Sequence, residues 1–178
     1  MNAGKVFETD WKNSMIKDGL WNKRINDTPM SYTKIASKYT PKNPYDFLCF
    51  KFPFLYCLEL KETQQPLMSI QVSEDEPDNK HIKYHQIKGL ADASKFEGVY
   101  AGFVMNFSFN GMMKVYYLSI ENFLEFLQIE QKKSINYSDV EKYHGIPIDF
   151  QKLRTHYKYN ITELLMQISE GSEISYGT

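Results

Sequence analysis

Apolar positions recur at helical spacing over residues 4–18, where Val6, Phe7, Trp11, Met15 and Ile16 fall close to one face and Gly19 offers a C-terminal stop. Leu20 to Ile25 reads as a short strand, and the chain then turns polar from Asn26 to Pro44, with prolines at 29, 41 and 44. A polar stretch of that length inside one domain predicts a long loop or projecting arm. Tyr45 to Thr63 reads as a β-hairpin: Phe47–Phe50 and Phe54–Leu58 are short, aromatic runs separated by Pro53. Gln64 to Val72 offers a further strand, Glu74 to Asp78 an acidic loop, and His81 to Ser94 a helix. Two strands follow, 98–107 and 114–120, joined by a turn at Asn110-Gly111, and then a short helix over 121–129. Ser138 with Glu141, and Asn160 with Glu163, each have capping-box spacing. Helix, strands, helix, strands and helices in that order predict an α/β sandwich around one central sheet.

Composition narrows the class. At 178 residues with 42% hydrophobic and 15% aromatic content, the chain forms one domain with an ample core, taken as 1–178. No apolar run is long enough to span a membrane and no signal-peptide pattern opens the sequence, so the expectation is a cytoplasmic protein with no membrane partner. Cys49 and Cys57 are too few for a disulfide framework, and the hairpin register puts them on opposite faces. The net charge of −1 excludes uniform basicity but hides an asymmetry. Between Lys12 and Asn43 seven basic residues face only Asp18 and Asp27, a local surplus of five that leaves the remainder at −6.

The chemistry concentrates in Asn43-Pro44-Tyr45-Asp46 and Glu59-Leu60-Lys61. If the hairpin reverses between Phe52 and Pro53, Asp46 lies opposite Glu59, and opposed residues of an antiparallel pair share a face. Strand alternation returns Lys61 to that face. Two carboxylates so placed repel unless a cation lies between them, and oxygen ligands without thiolates favour Mg2+ or Mn2+. A metal held there polarises a phosphoryl oxygen and acidifies a water, which suits phosphodiester hydrolysis. Lys61 would orient or deprotonate that water, or balance charge on phosphorus. The competing reading is an ordinary Glu-Leu-Lys ion pair at a strand end.

Pro44-Tyr45-Asp46 followed by Glu59-Leu60-Lys61 resembles the PD-(D/E)xK nuclease signature. Three further segments resemble RecU-type Holliday junction resolvases, in particular short phage-borne members: Gly4-Lys5-Val6-Phe7-Glu8, His85-Gln86-Ile87, and Gly98 to Val104. The ordered set runs from about Gly4 to Asp149. The resemblance implies a restriction-endonuclease-like core, a mixed central sheet flanked by helices, and a homodimer that nicks two strands of a four-way junction symmetrically. It implies Asp46 and Glu59 as metal ligands with the Leu60 carbonyl, Lys61 as the catalytic lysine, Glu8 as an aid to metal binding, and Gln86 as a positioner of water or phosphate. The arm at 26–44, with Lys34, Lys38 and Lys42, would enter the junction. That arm departs from bacterial members in length and sequence.

Each residue also has a plainer reading. Glu8 fits the first turns of a helix, where the macrodipole favours acids. Gln86 would brace its helix, and His85 would serve as a structural hydrogen-bonding residue. Arg24 would contact a phosphate or pair with Asp27. Tyr32 and Tyr39, interleaved with Lys34 and Lys38, would stack on bases or simply be solvated. The alternatives in function are a general or restriction-type nuclease of the same fold, and a catalytically silent junction-binding protein.

Overall fold

The structure, a computed structural model, describes residues 3–25 and 43–173. The proposed arm, with Lys34, Lys38 and Lys42, therefore lies almost wholly outside the described residues. The chain opens with α1 (Ala3–Lys17) and β1 (Trp21–Arg24), followed by the hairpin β2 (Phe47–Lys51) and β3 (Phe54–Thr63). Next come β4 (Met68–Ser69), α2 (Tyr84–Ala93), β5 (Val99–Phe109), β6 (Met112–Ser119) and α3 (Ile120–Glu130). The remainder is β7 (Ser134–Ile135), α4 (Tyr137–Lys142), β8 (Ile146–Pro147), β9 (Phe150–Lys152), β10 (Tyr157–Tyr159) and α5 (Ile161–Glu173).

One six-stranded sheet runs in the order β1-β2-β3-β5-β6-β8. All its pairings are antiparallel except β3 with β5, the parallel pair that α2 connects. The hairpin register is the one the sequence predicts: Phe47 opposes Leu58 and Lys51 opposes Phe54. Because β3 has an element on both faces, its side chains split cleanly. Tyr56, Leu58 and Leu60 enter one core with Phe7, Trp11 and Tyr159, whereas Cys57 enters the other with Leu90, Phe103 and Phe123. Cys49 belongs to the first core, so the two thiols are free and on opposite sides of the sheet.

Several boundaries differ from the sequence reading for identifiable reasons. In α1 the buried stripe is Phe7, Asp10, Trp11, Ser14 and Met15, while Ile16 is 56% exposed. Asp10 and Ser14 take inward positions because they satisfy the small β9–β10 sheet: Asp10 accepts the Tyr157 amide at 2.9 Å and Ser14 accepts the Tyr159 amide at 3.0 Å. The strand expected over 64–72 shrinks to Met68–Ser69, paired with β7, plus a single bridge from Ile70 to Ile82. The cap expected at Ser138 and Glu141 sits two residues earlier, where Asn136 and Asp139 exchange reciprocal bonds. Asn110 and Gly111 form the β5–β6 turn with φ of 51° and 75°, as an Asn-Gly pair in a two-residue hairpin requires.

Candidate active site

Strand β3 is central and buried, so polar groups on it are held under tight geometric control. Glu59 is 2% exposed and pairs with Lys61, two residues along the same face, at 2.8 Å from Oε1 to Nζ. The Gln86 side chain, from the first turn of α2, donates from Nε2 to the same Glu59 oxygen. Its own Oε1 accepts the Lys83 amide at 3.0 Å, which caps the helix. One side chain thus braces α2, as one reading expected, and also holds the Glu59 carboxylate. Asp46, at the entry to β2, is tied to β3 twice. Its amide donates to the Leu58 carbonyl at 3.1 Å, and its Oδ2 accepts the Leu60 amide at 2.9 Å. The carboxylate of Asp46 is therefore fixed beside the Glu59-Leu60-Lys61 segment.

The electrostatics follow from burial. Loss of water pushes the Glu59 carboxyl up to about 8 against the pull of Lys61, and the carboxylates of Asp46 and Glu8 add to the rise. A buried carboxylate among other acids is the environment that a bound cation relieves. Asp46, Glu59 and the Leu60 carbonyl offer oxygen only, a donor set that fits Mg2+ or Mn2+ and not a thiolate-seeking ion. Among the described residues no three His, Cys, Asp or Glu side chains gather into a metal cluster. A complete shell from these residues therefore draws on backbone oxygen and water, as hard cations commonly do.

The remaining predicted residues divide. Glu8 is close enough to Glu59 to influence its charge, but its carboxylate is engaged by Arg24. Arg24 is thus placed by an ion pair across α1 and β1, while its expected partner Asp27 falls outside the described residues. His81 was missed by sequence reasoning. Its Nδ1 lies 3.2 Å from the Ser69 amide and 2.9 Å from Ser69 Oγ, and burial together with the Lys61 ammonium holds its pKa below the ordinary value. The Ile70–Ile82 bridge and the short β4 bring it there, and two-residue pairings leave no periodic signal in a sequence.

No family model matches the chain. The SPbeta prophage-derived uncharacterized protein YotM of Bacillus subtilis (strain 168) is 34% identical over 132 residues, covering 74% of this chain. The chain spans 63% of that relative's length. Hjc, a Holliday junction resolvase from the archaeal hyperthermophile Archaeoglobus fulgidus, has a similar structure, with a TM-score of 0.50 at 13% identity. The match covers 81% of this chain and 95% of Hjc. The fold is Hjc-like. The predicted mixed central sheet flanked by helices is therefore correct. No helix among the described residues is long and apolar enough to cross a membrane.

Proposed function

We propose that this chain is a divalent-metal-dependent endonuclease of the PD-(D/E)xK type that acts, as a homodimer, on four-way DNA junctions. One observation carries the reading. A Glu59–Lys61 pair on a central strand is held by Gln86 and flanked by an Asp46 carboxylate bonded to the intervening amide. An ordinary strand-end ion pair needs neither near-complete burial nor a third side chain to orient it. The Hjc-like fold supports a nuclease, and the RecU-like segments around Glu8, Gln86 and Gly98 to Val104 support junction DNA as its substrate.

When bound, Mg2+ or Mn2+ would supply Lewis-acid stabilisation of a phosphoryl oxygen and a water acidified toward neutral pH. Asp46 and Glu59 would hold it, with the Leu60 carbonyl. Lys61 places a positive charge beside Glu59, and its ammonium would balance negative charge building on phosphorus. Gln86 keeps Glu59 from rotating away. Glu8, already paired with Arg24, contributes negative potential from the opposite layer.

The test uses an immobile synthetic four-way junction and a linear duplex of equal length, each incubated with Mg2+, with Mn2+ and with EDTA. The expected result is paired symmetric nicks in the junction that disappear with EDTA. Equal cutting of both substrates would reduce the reading to an unselective nuclease. Junction binding with no cutting under any metal would overturn the enzyme reading.

A further inference from the structure

We infer that the exposed stripe of α1 and the β9–β10 hairpin together form a second DNA-binding surface, outside the catalytic centre, that grips the sugar-phosphate backbone of a duplex arm. This surface deepens the nuclease reading above, and rests on it for the identity of the nucleic acid. The stripe consists of the outward positions of α1, which include Lys5, Thr9, Lys12, Asn13 and Lys17 and no acid. The two acids of α1 point elsewhere: Glu8 pairs with Arg24, and Asp10 is 1% exposed beneath the hairpin. The hairpin adds Lys152 and Arg154 at an exposed tip, 151–156. None of Lys5, Lys12, Lys17, Lys152 or Arg154 makes an ion pair among the described residues. Five exposed cations with no ion-pair partner among the described residues, on a chain of net charge −1, are a local concentration of positive charge.

The two halves are one surface. Asn13, Ile16 and Lys17 of α1 line the same cleft of about 240 Å³ as Leu153, His156 and Tyr157 of the hairpin. Asp10 fastens them by accepting the Tyr157 amide and contacting His156 Nδ1 at 2.8 Å. Behind them, Phe7 and Trp11 pack on Tyr159 with ring centroids 5.5 and 5.4 Å apart. The hairpin tip is therefore rigidly attached to α1, even though the sequence separates its residues from α1 by almost the whole chain. The acid nearest the tip, Asp10, is buried beneath it and lines the same cleft, whereas Asp18 and Asp149 lie toward the hairpin's base, where Asp18 is 3.5 Å from Lys158. The same helix carries Glu8 toward the catalytic centre. A duplex lying along α1 would thus run from the hairpin toward the site. Phosphate is the matching chemistry, because lysine and arginine side chains on a helix stripe and a hairpin tip contact backbone charges without reading bases.

Fluorescence anisotropy of a labelled linear duplex and a labelled four-way junction, in buffer containing EDTA so that nothing is cut, tests this. K152A/R154A and, separately, K5A/K12A are compared with the parent and with K95A, whose lysine pairs with Asp92 at the far end of α2. Each double variant should bind both DNAs about tenfold more weakly near 0.15 M salt. Each should also flatten the slope of log K against log salt by about two, with an unchanged thermal midpoint. K95A should match the parent. Parent-like affinity and slope in both double variants would overturn the inference, as would failure of the parent to bind either DNA. Variant-sensitive binding to anionic phosphatidylglycerol vesicles, with none to DNA, would make this a membrane surface and overturn it equally. Hairpin-dependent binding by a parent that never cuts DNA would sink the nuclease reading and leave this surface standing. Cutting by a parent whose double variants bind normally would do the reverse.

Discussion

At Glu59 the proposed function and the stability of the fold pull in opposite directions. A charged carboxylate at 2% exposure costs solvation that Lys61 and Gln86 only partly return. Replacing it with a neutral amide of the same shape keeps the contacts and removes the charge. Glu59→Gln should therefore melt no lower than the parent, and up to about 4 °C higher, while cutting falls by a factor of roughly 100 or more. Glu59→Ala should instead melt lower by several degrees, because it leaves the buried Gln86 amide unpaired at a cost of about 1–3 kcal/mol. Thermal melts alongside single-turnover cleavage decide this; a Gln variant that both melts early and cuts normally would refute the role. The triad Asp46, Glu59 and Lys61 was legible because strand alternation and an antiparallel register are simple periodicities. Gln86 was legible only as a resemblance. What no pattern could show is that its two ends serve different masters, the Lys83 amide and the Glu59 carboxylate. Arg24 was legible as basic and near the arm, but its actual partner Glu8 is fixed by the way α1 lies across β1.

At the scale of elements, α2 and the segment leading to Asp46 are locked together at Gly89. A Cβ added there would lie 2.3 Å from Pro44 Cβ and 2.9 Å from its Cα, so any side chain must push the backbone two residues before Asp46. Gly89→Ala should cost about 1–3 kcal/mol by overpacking and should lower cleavage more than an equally destabilising change elsewhere, such as one in α5. Matching variants by denaturation midpoint before comparing rates makes the test; equal rates would show that the Pro44 contact does not position the site. A second element-level device joins the end of α3 to α4. Glu130 meets Lys142, the Tyr143 hydroxyl at 2.9 Å and Lys132 at 3.3 Å, and these donors pull its carboxyl down to about 2 from 4.5. A carboxylate depressed by folding contributes stability that is complete above its unfolded value and lost as pH falls from about 4.5 toward 2. The acid limb of a stability-versus-pH curve should accordingly be shallower in Glu130→Gln, which should be less stable than the parent by a constant amount above about pH 6 and converge on it as pH falls toward 2. Long elements such as β5, β6 and α3 were legible because many residues repeat one period. Short ones such as β4 and β7 exist only because distant backbones happen to pair, and the Asn136 cap won over Ser138 because its partner Asp139 closes the reciprocal bonds.

Taken whole, the molecule divides its apolar side chains between two cores, one on each face of a single sheet, and leaves its charged chemistry in the seam between them. Glu59 and Lys61 share the α2 face of β3, Asp46 enters from the neighbouring strand, and Glu8 acts from the helix on the other face. That seam is where the fold is electrostatically uncomfortable: burial and two other carboxylates all disfavour charge on Glu59. A ligand that prefers the folded, ionised arrangement must then stabilise the entire fold, since the unfolded chain does not assemble the donors. At a concentration a hundredfold above its Kd, Mn2+ or Mg2+ would add about 2.7 kcal/mol. For a chain of this length that corresponds to a rise in Tm of roughly 5–10 °C. Melting in EDTA, in Mg2+, in Mn2+, and in Ca2+ as a larger oxygen-seeking ion, all at matched ionic strength, measures it directly. The rise should vanish in Asp46→Ala and Glu59→Gln and persist in K152A/R154A, whose residues lie on the hairpin. A rise of the same size in Asp46→Ala would place the ion elsewhere, and no rise at millimolar Mn2+ would remove the metal from the proposed chemistry of this seam.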